Sequence, residues 1–308
     1  MKWLFIIDPL ENLNPDTDTT YALIKESSRR DIRCFIACVN DLFFDKSVKI
    51  NATEIIFGPD SHSLRKNIIH ILDDFEIIFM RKEPPYDIKF HYATILLSFC
   101  NTLIVNSPKA LRDFNEKLII LNFPMLIPKT LVTSDTGRVI KFVGKNGQAV
   151  LKSLDSYQGK FIYRINKGDK NIKSKILAVT KNGAIPVMIQ KFLPDVYHGD
   201  KRILLLNGKS IGAVNRVPKK GSYVSNFGQG GRGEKTEITQ HDKKIINNVS
   251  GFLLNNGIQF AGLDVIDGHL TEINITCPTG VMQINAIEKR KLEKVIVNYF
   301  EKLVRKKL

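Results

Sequence analysis

The sequence predicts an α/β protein built from three units, and three observations carry that expectation. Its first third alternates short β-rich runs with helix-length segments. After Pro124 and Pro128 the pattern turns to a smaller run of mixed elements. The last third brings two consecutive strands that hold an acidic cluster, then an amphipathic helix. At 308 residues with 43% hydrophobic side chains, the chain is long enough to bury a substantial core.

In the first unit the strand candidates are KWLFIID (2–8), IRCFIACV (32–39), EIIFG (54–58), EIIFM (76–80) and TLIV (102–105), with helices expected near 18–30, 60–72 and 90–99. Strands separated by helix-length segments argue for a largely parallel sheet. A further helix opens at Ser107-Pro108 and carries LRDFNEKLIILN. The second unit reads as helical VIKFVGKN, strands AVLKSL (149–154) and FIYRI (161–165), a helix near 171–182, and PVMIQKFL (186–193). The third has strands at 202–206 and 210–216, a glycine-rich segment from 218 to 233, a helix near 239–256 and the two acidic strands. The expected division is therefore 1–122, 123–194 and 195–308.

Forty-six Lys and Arg against 31 Asp and Glu give a net charge of +15. That excess suits any polyanion, ATP included, and most simply makes a lysine-rich solvated surface. Neither an aromatic-interleaved basic stripe nor a zinc-finger pattern supports a nucleic-acid partner. The basic end, 288–308, places Leu292, Val295, Ile296, Tyr299, Phe300 and Leu303 at helical spacing, so it reads as one amphipathic helix docked on the body. The apolar run from Trp3 to Ile7 stops at Asp8-Pro9, too short for a signal core or a membrane span. Cys34, Cys38, Cys100 and Cys277 show no metal or redox spacing, which points to mostly buried thiols in a reducing, cytoplasmic setting.

Chemistry is most legible in GLDVIDGHLTEIN (262–274). Glu272 and Asn274 are two apart on a strand, so their side chains leave the same face. A three-residue loop, Asp267 to His269, sets Asp264 opposite Glu272, whereas a two-residue Asp-Gly turn sets it opposite Thr271. In the first geometry two carboxylates and an amide converge as a hard oxygen site suited to Mg²⁺ on nucleotide phosphates; otherwise the stretch is an ordinary polar hairpin. Lys117, in the helix NEKLII, and Lys152, at the end of AVLK, interrupt apolar segments. Such lysines snorkel to the surface or, facing a carboxylate cluster, contact phosphate. In GQGGRG (228–233) Gly230 and Gly231 offer free amides and Arg232 a cation, a combination that suits cradling phosphates or is simply a loop. The segment matches neither the Walker pattern nor the dinucleotide fingerprint, and no histidine lies in a nucleophile motif.

The ordered set RKEPPYD (81–87), NSPKALRDFNEKL (106–118), VLKSLD (150–155), GDKRILLLNG (199–208), NRVP (215–218), GGRGE (230–234) and GLDVIDGHLTEINITCPT (262–279) resembles bacterial glutathione synthetase over nearly the whole chain. The resemblance implies the ATP-grasp fold, with an N-terminal α/β domain, a small central lid and a C-terminal domain, ATP being gripped between the last two. It implies ATP-driven joining of γ-glutamylcysteine to glycine, and commonly a homo-oligomer. By the same resemblance Lys117 and Lys152 contact ATP phosphates, and Asp264, Glu272 and Asn274 hold Mg²⁺. Gln190, Lys191, Phe192 and Leu193 correspond to the edge that reads adenine, and Asp200 to a polar contact on the nucleotide side. Arg202 and Arg216 match arginines near the substrate carboxylate and the forming acyl phosphate, a role that also suits bidentate guanidinium geometry.

The sequence departs from this family at three places. The run 155–160, DSYQGK, keeps a single glycine of the usual phosphate loop. The loop 219–227, KKGSYVSNF, lacks the arginine expected near Val224, and Cys277 stands where the family has serine. Two further readings share the same frame: a ligase for another carboxylate and amine, and a nucleotide-binding homologue without turnover.

Overall fold

The computed structural model describes residues 1–59, 61–155 and 161–306. Its first sheet has the order β3-β4-β2-β1-β7-β8, with β5 and β6 pairing on β4. These strands are β1 (Lys2–Ile6), β2 (Arg33–Ala37), β3 (Leu42–Asp45), β4 (Ser47–Phe57), β5 (His62–Leu64), β6 (Ile68–Ile71), β7 (Ile77–Met80) and β8 (Leu103–Val105). The strands β2, β1, β7 and β8 run parallel as expected, while β3 to β6 form antiparallel hairpins at one edge. Connecting helices are α1 (Thr19–Ser28), α2 (Ile88–Leu97) and α3 (Pro108–Asp113).

Two local expectations are corrected. The helix near 60–72 does not form, because the long free edge of β4 offers its backbone to β5 and β6 and pairing overrides the helical spacing of Leu64, Ile68 and Ile71. The helix expected to carry Lys117 stops at Asp113. There Asn115 Oδ1 accepts from the backbone N–H of Lys117 and Leu118 (3.0 and 3.2 Å) while its amide donates to Leu154 O (2.9 Å). This side-chain turn replaces helical bonding, and only a short 3-10 turn follows at Leu118–Asn122.

The middle sheet, order β11-β10-β12-β9, is wholly antiparallel and is built from β9 (Thr130–Thr133), β10 (Gln148–Ser153), β11 (Ile162–Asn166) and β12 (Val187–Lys191). It is backed by α4 (Thr136–Asn146) and α5 (Ile172–Val179). Asp135 caps α4 through Arg138 N (2.6 Å), and Gly147 at φ 76° ends it. Val139, Val143, Leu151, Ile165, Ile176 and Ile189 give this part a core of its own.

The third sheet, order β15-β14-β13-β16-β17, comprises β13 (Asp200–Leu206), β14 (Lys209–Val217), β15 (Arg232–Glu234), β16 (Phe260–Ile266) and β17 (His269–Asn274). Its helices are α6 (Gln240–Asn255), α7 (Val281–Glu288) and α8 (Leu292–Arg305). The basic end is thus two helices rather than one, broken where Lys289 takes φ 55°. The apolar stripe of α8 covers the first sheet, Phe300 meeting Phe79 edge-on at 5.1 Å.

First and third sheets share their cores, with Leu4, Ile78, Leu263 and Ile273 in one cluster and Phe5, Leu204, Val214 and Phe300 in the other. Asn106 pins them together: its amide donates to Phe260 O and Ile275 O (both 2.7 Å) and its oxygen accepts from Gln259 N and Phe260 N. Such a satisfied buried amide fixes one alignment of the two sheets. Cys34 is buried, whereas Cys38, Cys100 and Cys277 are only partly so. Among the described residues no helix is long and apolar enough to cross a membrane.

Candidate active site

The hairpin of β16 and β17 resolves the register question by a route that neither simple turn gives. Ile266 pairs with His269 across a two-residue turn, with Asp267 and Gly268 both at positive φ (48° and 68°). That turn alone would set Asp264 against Thr271. The register shifts between Asp264 and Val265, however, so Thr271 is the extra residue of a bulge and Asp264 faces Glu272 after all. Thr271 Oγ1 donates to Asp264 O (3.1 Å) and holds the bulge.

Sheet register also gathers the arginines. Asp200 and Arg202 leave the same face of β13, Asp200 opposite Arg216 on β14 and Arg202 opposite Asp264 on β16. Arg202 grips Asp264 bidentately through Nε (2.5 Å) and Nη2 (3.0 Å) and donates through Nη1 to Thr279 O (3.2 Å). Arg216 Nη2 reaches Asp200 Oδ2 (2.6 Å) and Asp264 Oδ2 (2.9 Å). Burial works against charge on Asp264, but Arg202 and Arg216 outweigh it and hold the carboxyl well below the usual carboxylate range. Asp200 is pushed the other way: burial raises its pKa, Arg216 opposes that rise, and repulsion from Asp264 adds to it. Asp200 Oδ1 is a buried acceptor without a hydrogen-bond donor among the described residues.

Lys117 is buried and its Nζ lies 3.3 Å from Glu272 Oε1. Its segment is anchored by the preceding residue, since Glu116 Oε1 accepts from Ile275 N (2.7 Å), Thr276 N (2.8 Å) and Thr276 Oγ1 (2.8 Å). Burial, and then Glu272, raise the Glu116 pKa against these donors. Lys152 sits on β10 between Ile162 and Met188, where burial lowers its pKa and Glu272 partly restores it.

These side chains border two adjoining clefts. The larger, about 340 Å³, is lined by Lys117, Arg202, Arg216, Glu272, Asn274 and Cys277. The smaller, about 80 Å³, takes Lys152, the run Gln190, Lys191, Phe192 and Leu193, and also Asp200, Asp264 and Glu272. Glu272 belongs to both. Gln190 is oriented by Thr130 Oγ1, to which its amide donates (3.2 Å). The structure brings Gly230, Gly231 and Arg232 to neither cleft. Arg232 is exposed and paired with Glu234 on β15, and a Cβ on Gly231 would lie 1.8 Å from Ser225 O. The glycine permits a close backbone crossing there. Gly231→Ala is expected to displace the 222–228 loop and cost about 1–3 kcal/mol, read as a lower melting temperature together with faster proteolysis of that loop.

Several bordering residues were given no role of their own by the sequence. Asp18 and Glu83 reach the larger cleft from loops beyond the carboxyl ends of β1 and β7, where open parallel sheets bind ligands; their strands were readable but their meeting was not. Tyr223, Val224, Ser225 and Asn226 enter the smaller cleft from the 219–227 loop. Burial pushes the Cys277 thiol up to about 12, and it donates to Arg81 O (3.3 Å). The glycine-poor run continues through residues 156–160, outside the described residues.

The chain matches the family model for the prokaryotic glutathione synthetase N-terminal domain over residues 1–112 and that for the prokaryotic glutathione synthetase ATP-grasp domain over 116–289. Among curated proteins it is 36% identical to the glutathione synthetase of a Synechocystis sp., covering 98% of this chain and 99% of that protein. It is 37% identical to that of Thermosynechococcus vestitus, covering 95% and 97%. Among solved structures the crystal structure of the D-cycloserine synthetase DcsG superposes with a TM-score of 0.71 at 13% identity, covering 98% of this chain and 99% of that one. The macrocyclase MdnC from Microcystis aeruginosa superposes at 0.63 and 14% identity, covering 97% and 99%. At these identities the structural matches show the fold alone, and that fold is the ATP-grasp.

Proposed function

The chain belongs to the prokaryotic glutathione synthetase family, and on that premise we propose that its two adjoining clefts join γ-glutamylcysteine to glycine at the expense of ATP. It is an ATP-dependent ligase. A carboxylate is a poor acyl donor, so the γ-phosphoryl group first moves to it. The bond from phosphorus to the leaving ADP oxygen breaks as the bond to the carboxylate oxygen forms. The glycine amine then attacks the acyl carbon and phosphate leaves.

What supports the assignment of residues is the position of Glu272, shared by both clefts, paired with Lys117 and lining the larger cleft together with Arg202 and Arg216. The smaller cleft takes the nucleotide, with Gln190, Lys191, Phe192 and Leu193 along the adenine and Asp200 Oδ1 accepting a hydrogen bond. Lys117 and Lys152 offset phosphate charge. Arg202 and Arg216, held rigidly by Asp264, retain N–H donors for the substrate carboxylate and the acyl phosphate. Asp264, Glu272 and Asn274 would hold Mg²⁺ through their oxygens: Asp264, ionised and shared with Arg202 and Arg216, faces Glu272 across the hairpin, and Asn274 lies beside it; bound there, the ion would neutralise phosphate charge. The middle sheet, with its separate core, is the lid in a division at 1–122, 123–194 and 195–308. We also assign a cytoplasmic location and a homo-oligomeric state. The latter is supported by Leu64, Ile68, Ile69 and Ile71, exposed on one hairpin, and sedimentation would test it.

Purified protein incubated with ATP, Mg²⁺, γ-glutamylcysteine and glycine is expected to give glutathione by mass detection. Nucleotide turnover only with other substrates would overturn the substrate assignment. Lys117→Ala and Lys152→Ala should each weaken ATP use by about 1.5–3 kcal/mol, roughly ten- to a hundred-fold in kcat/KM. Wild-type values in both would remove the lysines from the site.

A further inference from the structure

A tyrosine hydroxyl ties the 219–227 loop to the edge of the middle sheet. The strand β11 is the outer strand of that sheet, so its outward backbone groups need partners beyond the sheet. Tyr223 Oη supplies both. It donates to Ile162 O (3.1 Å) and accepts from Arg164 N (3.0 Å). The Tyr223 ring meets Phe192 edge-on at 6.5 Å, and Phe192 is covered by the Arg164 guanidinium at 4.3 Å, itself bonded to Tyr197 Oη (2.8 Å).

From Tyr223 the loop continues over both clefts. Ser225 Oγ donates to Asp200 Oδ2 (3.0 Å), and Gly231 N returns to Asn226 O (3.1 Å), a crossing that only glycine permits. Val224 and Ser225 line the smaller cleft, Phe227 and Gly228 the larger, and Asn226 lines both. Ile162, which Tyr223 holds, also borders both clefts. One phenol oxygen therefore connects the cover of the reacting groups to the sheet that carries Lys152.

We propose that Tyr223 is a positioning residue, a latch that makes the loop and the middle sheet close as one body so that water is kept from the acyl phosphate. Val224 stands where the resemblance leads one to expect an arginine, so cover by a charged side chain is replaced by a mechanical tie. The proposal rests on the reading above that this chain makes an acyl phosphate, and it adds the residue that shields that intermediate.

Tyr223→Phe keeps the ring against Phe192 and removes only the hydroxyl. Three quantities are compared with wild type: ADP formed per glutathione formed, ATP affinity by equilibrium dialysis, and the rate of tryptic cutting after Lys219 and Lys220 with and without ATP. The variant is expected to spend about two or more ATP per product, to bind ATP about five-fold more weakly, and to lose ATP protection of the loop. A lower melting temperature with unchanged ADP ratio, affinity and cutting would make Tyr223 merely structural and overturn the proposal. If wild type forms no glutathione, it is the proposed activity that fails, and affinity and cutting still decide the latch.

Discussion

Arg216→Met is expected to abolish turnover and to lower stability by about 3–5 kcal/mol, the usual cost of leaving a buried charge without its partner. Arg216 is 2% exposed and stands between two carboxylates, 2.6 Å from Asp200 and 2.9 Å from Asp264. Asp264 keeps Arg202 when Arg216 is gone. Among the described residues Asp200 then keeps Ser225 Oγ as its side-chain donor, while its other oxygen has none. Burial raises the Asp200 pKa even in the wild type, and Arg216 is the largest influence that opposes the rise, so in the variant the rise is greater. A folded-state pKa above the unfolded value means that the native state binds more protons. Stability then falls as pH rises from the unfolded value through the folded one. The deficit in urea unfolding should therefore be larger at pH 8 than at pH 5. Adding Asp200→Asn to Arg216→Met should recover part of it, because the uncompensated charge is removed. Equal stability of wild type and Arg216→Met at both pH values would show that the guanidinium is not what holds the two acids together.

The frame of the molecule was legible in the sequence because buried strands announce themselves by composition. The runs that became β1, β2, β7, β8, β13, β14, β16 and β17 were each visible, and so were α1, α2, α4 and α6. The pairing of β5 and β6 on β4 was not, because Leu64, Ile68 and Ile71 have helical spacing but remain half-exposed, and what decides their state is the edge of β4. The 3-10 break at Lys117 is likewise set by Asn115 reaching Leu154 in another unit.

At the site, residue types were more legible than geometry. Two registers were derivable for the acidic hairpin, yet its actual pairing combines the two-residue turn of one with the Asp264–Glu272 facing of the other. A bulge at Thr271 leaves no mark on a pattern of alternation. Glycine content was ambiguous at 230–233 for a related reason. Close approach to a phosphate and close approach to a neighbouring carbonyl make the same demand on the chain, the absence of a Cβ, and only Ser225 O tells which applies.

Glu272→Gln should keep the fold and lose turnover by roughly a hundred-fold or more, as expected when a charged interaction worth up to about 3 kcal/mol is removed from the reacting centre. The side chain stays 21% exposed, so a neutral amide of the same shape can be solvated in the resting protein and melting should shift little. The charge is another matter. Glu272 faces Asp264 across the hairpin, pairs with Lys117, and opposes the lowering of the Lys152 pKa by burial. As a proposed ligand of Mg²⁺ it supplies negative charge that the ion needs and that bare phosphate oxygens do not tolerate. The two readings of this acid therefore separate by sign. If Glu272 holds the ion, Glu272→Gln requires more Mg²⁺ for half-maximal activity but binds ATP more tightly when no divalent ion is present, since Lys117 and Lys152 then face phosphate without a competing carboxylate. If Glu272 only orders Lys117, ATP affinity falls with and without Mg²⁺ and the Mg²⁺ midpoint does not move. Titrating Mg²⁺ against activity, alongside ATP binding in chelator, distinguishes the two, and an unmoved midpoint would take the acidic hairpin out of the metal site.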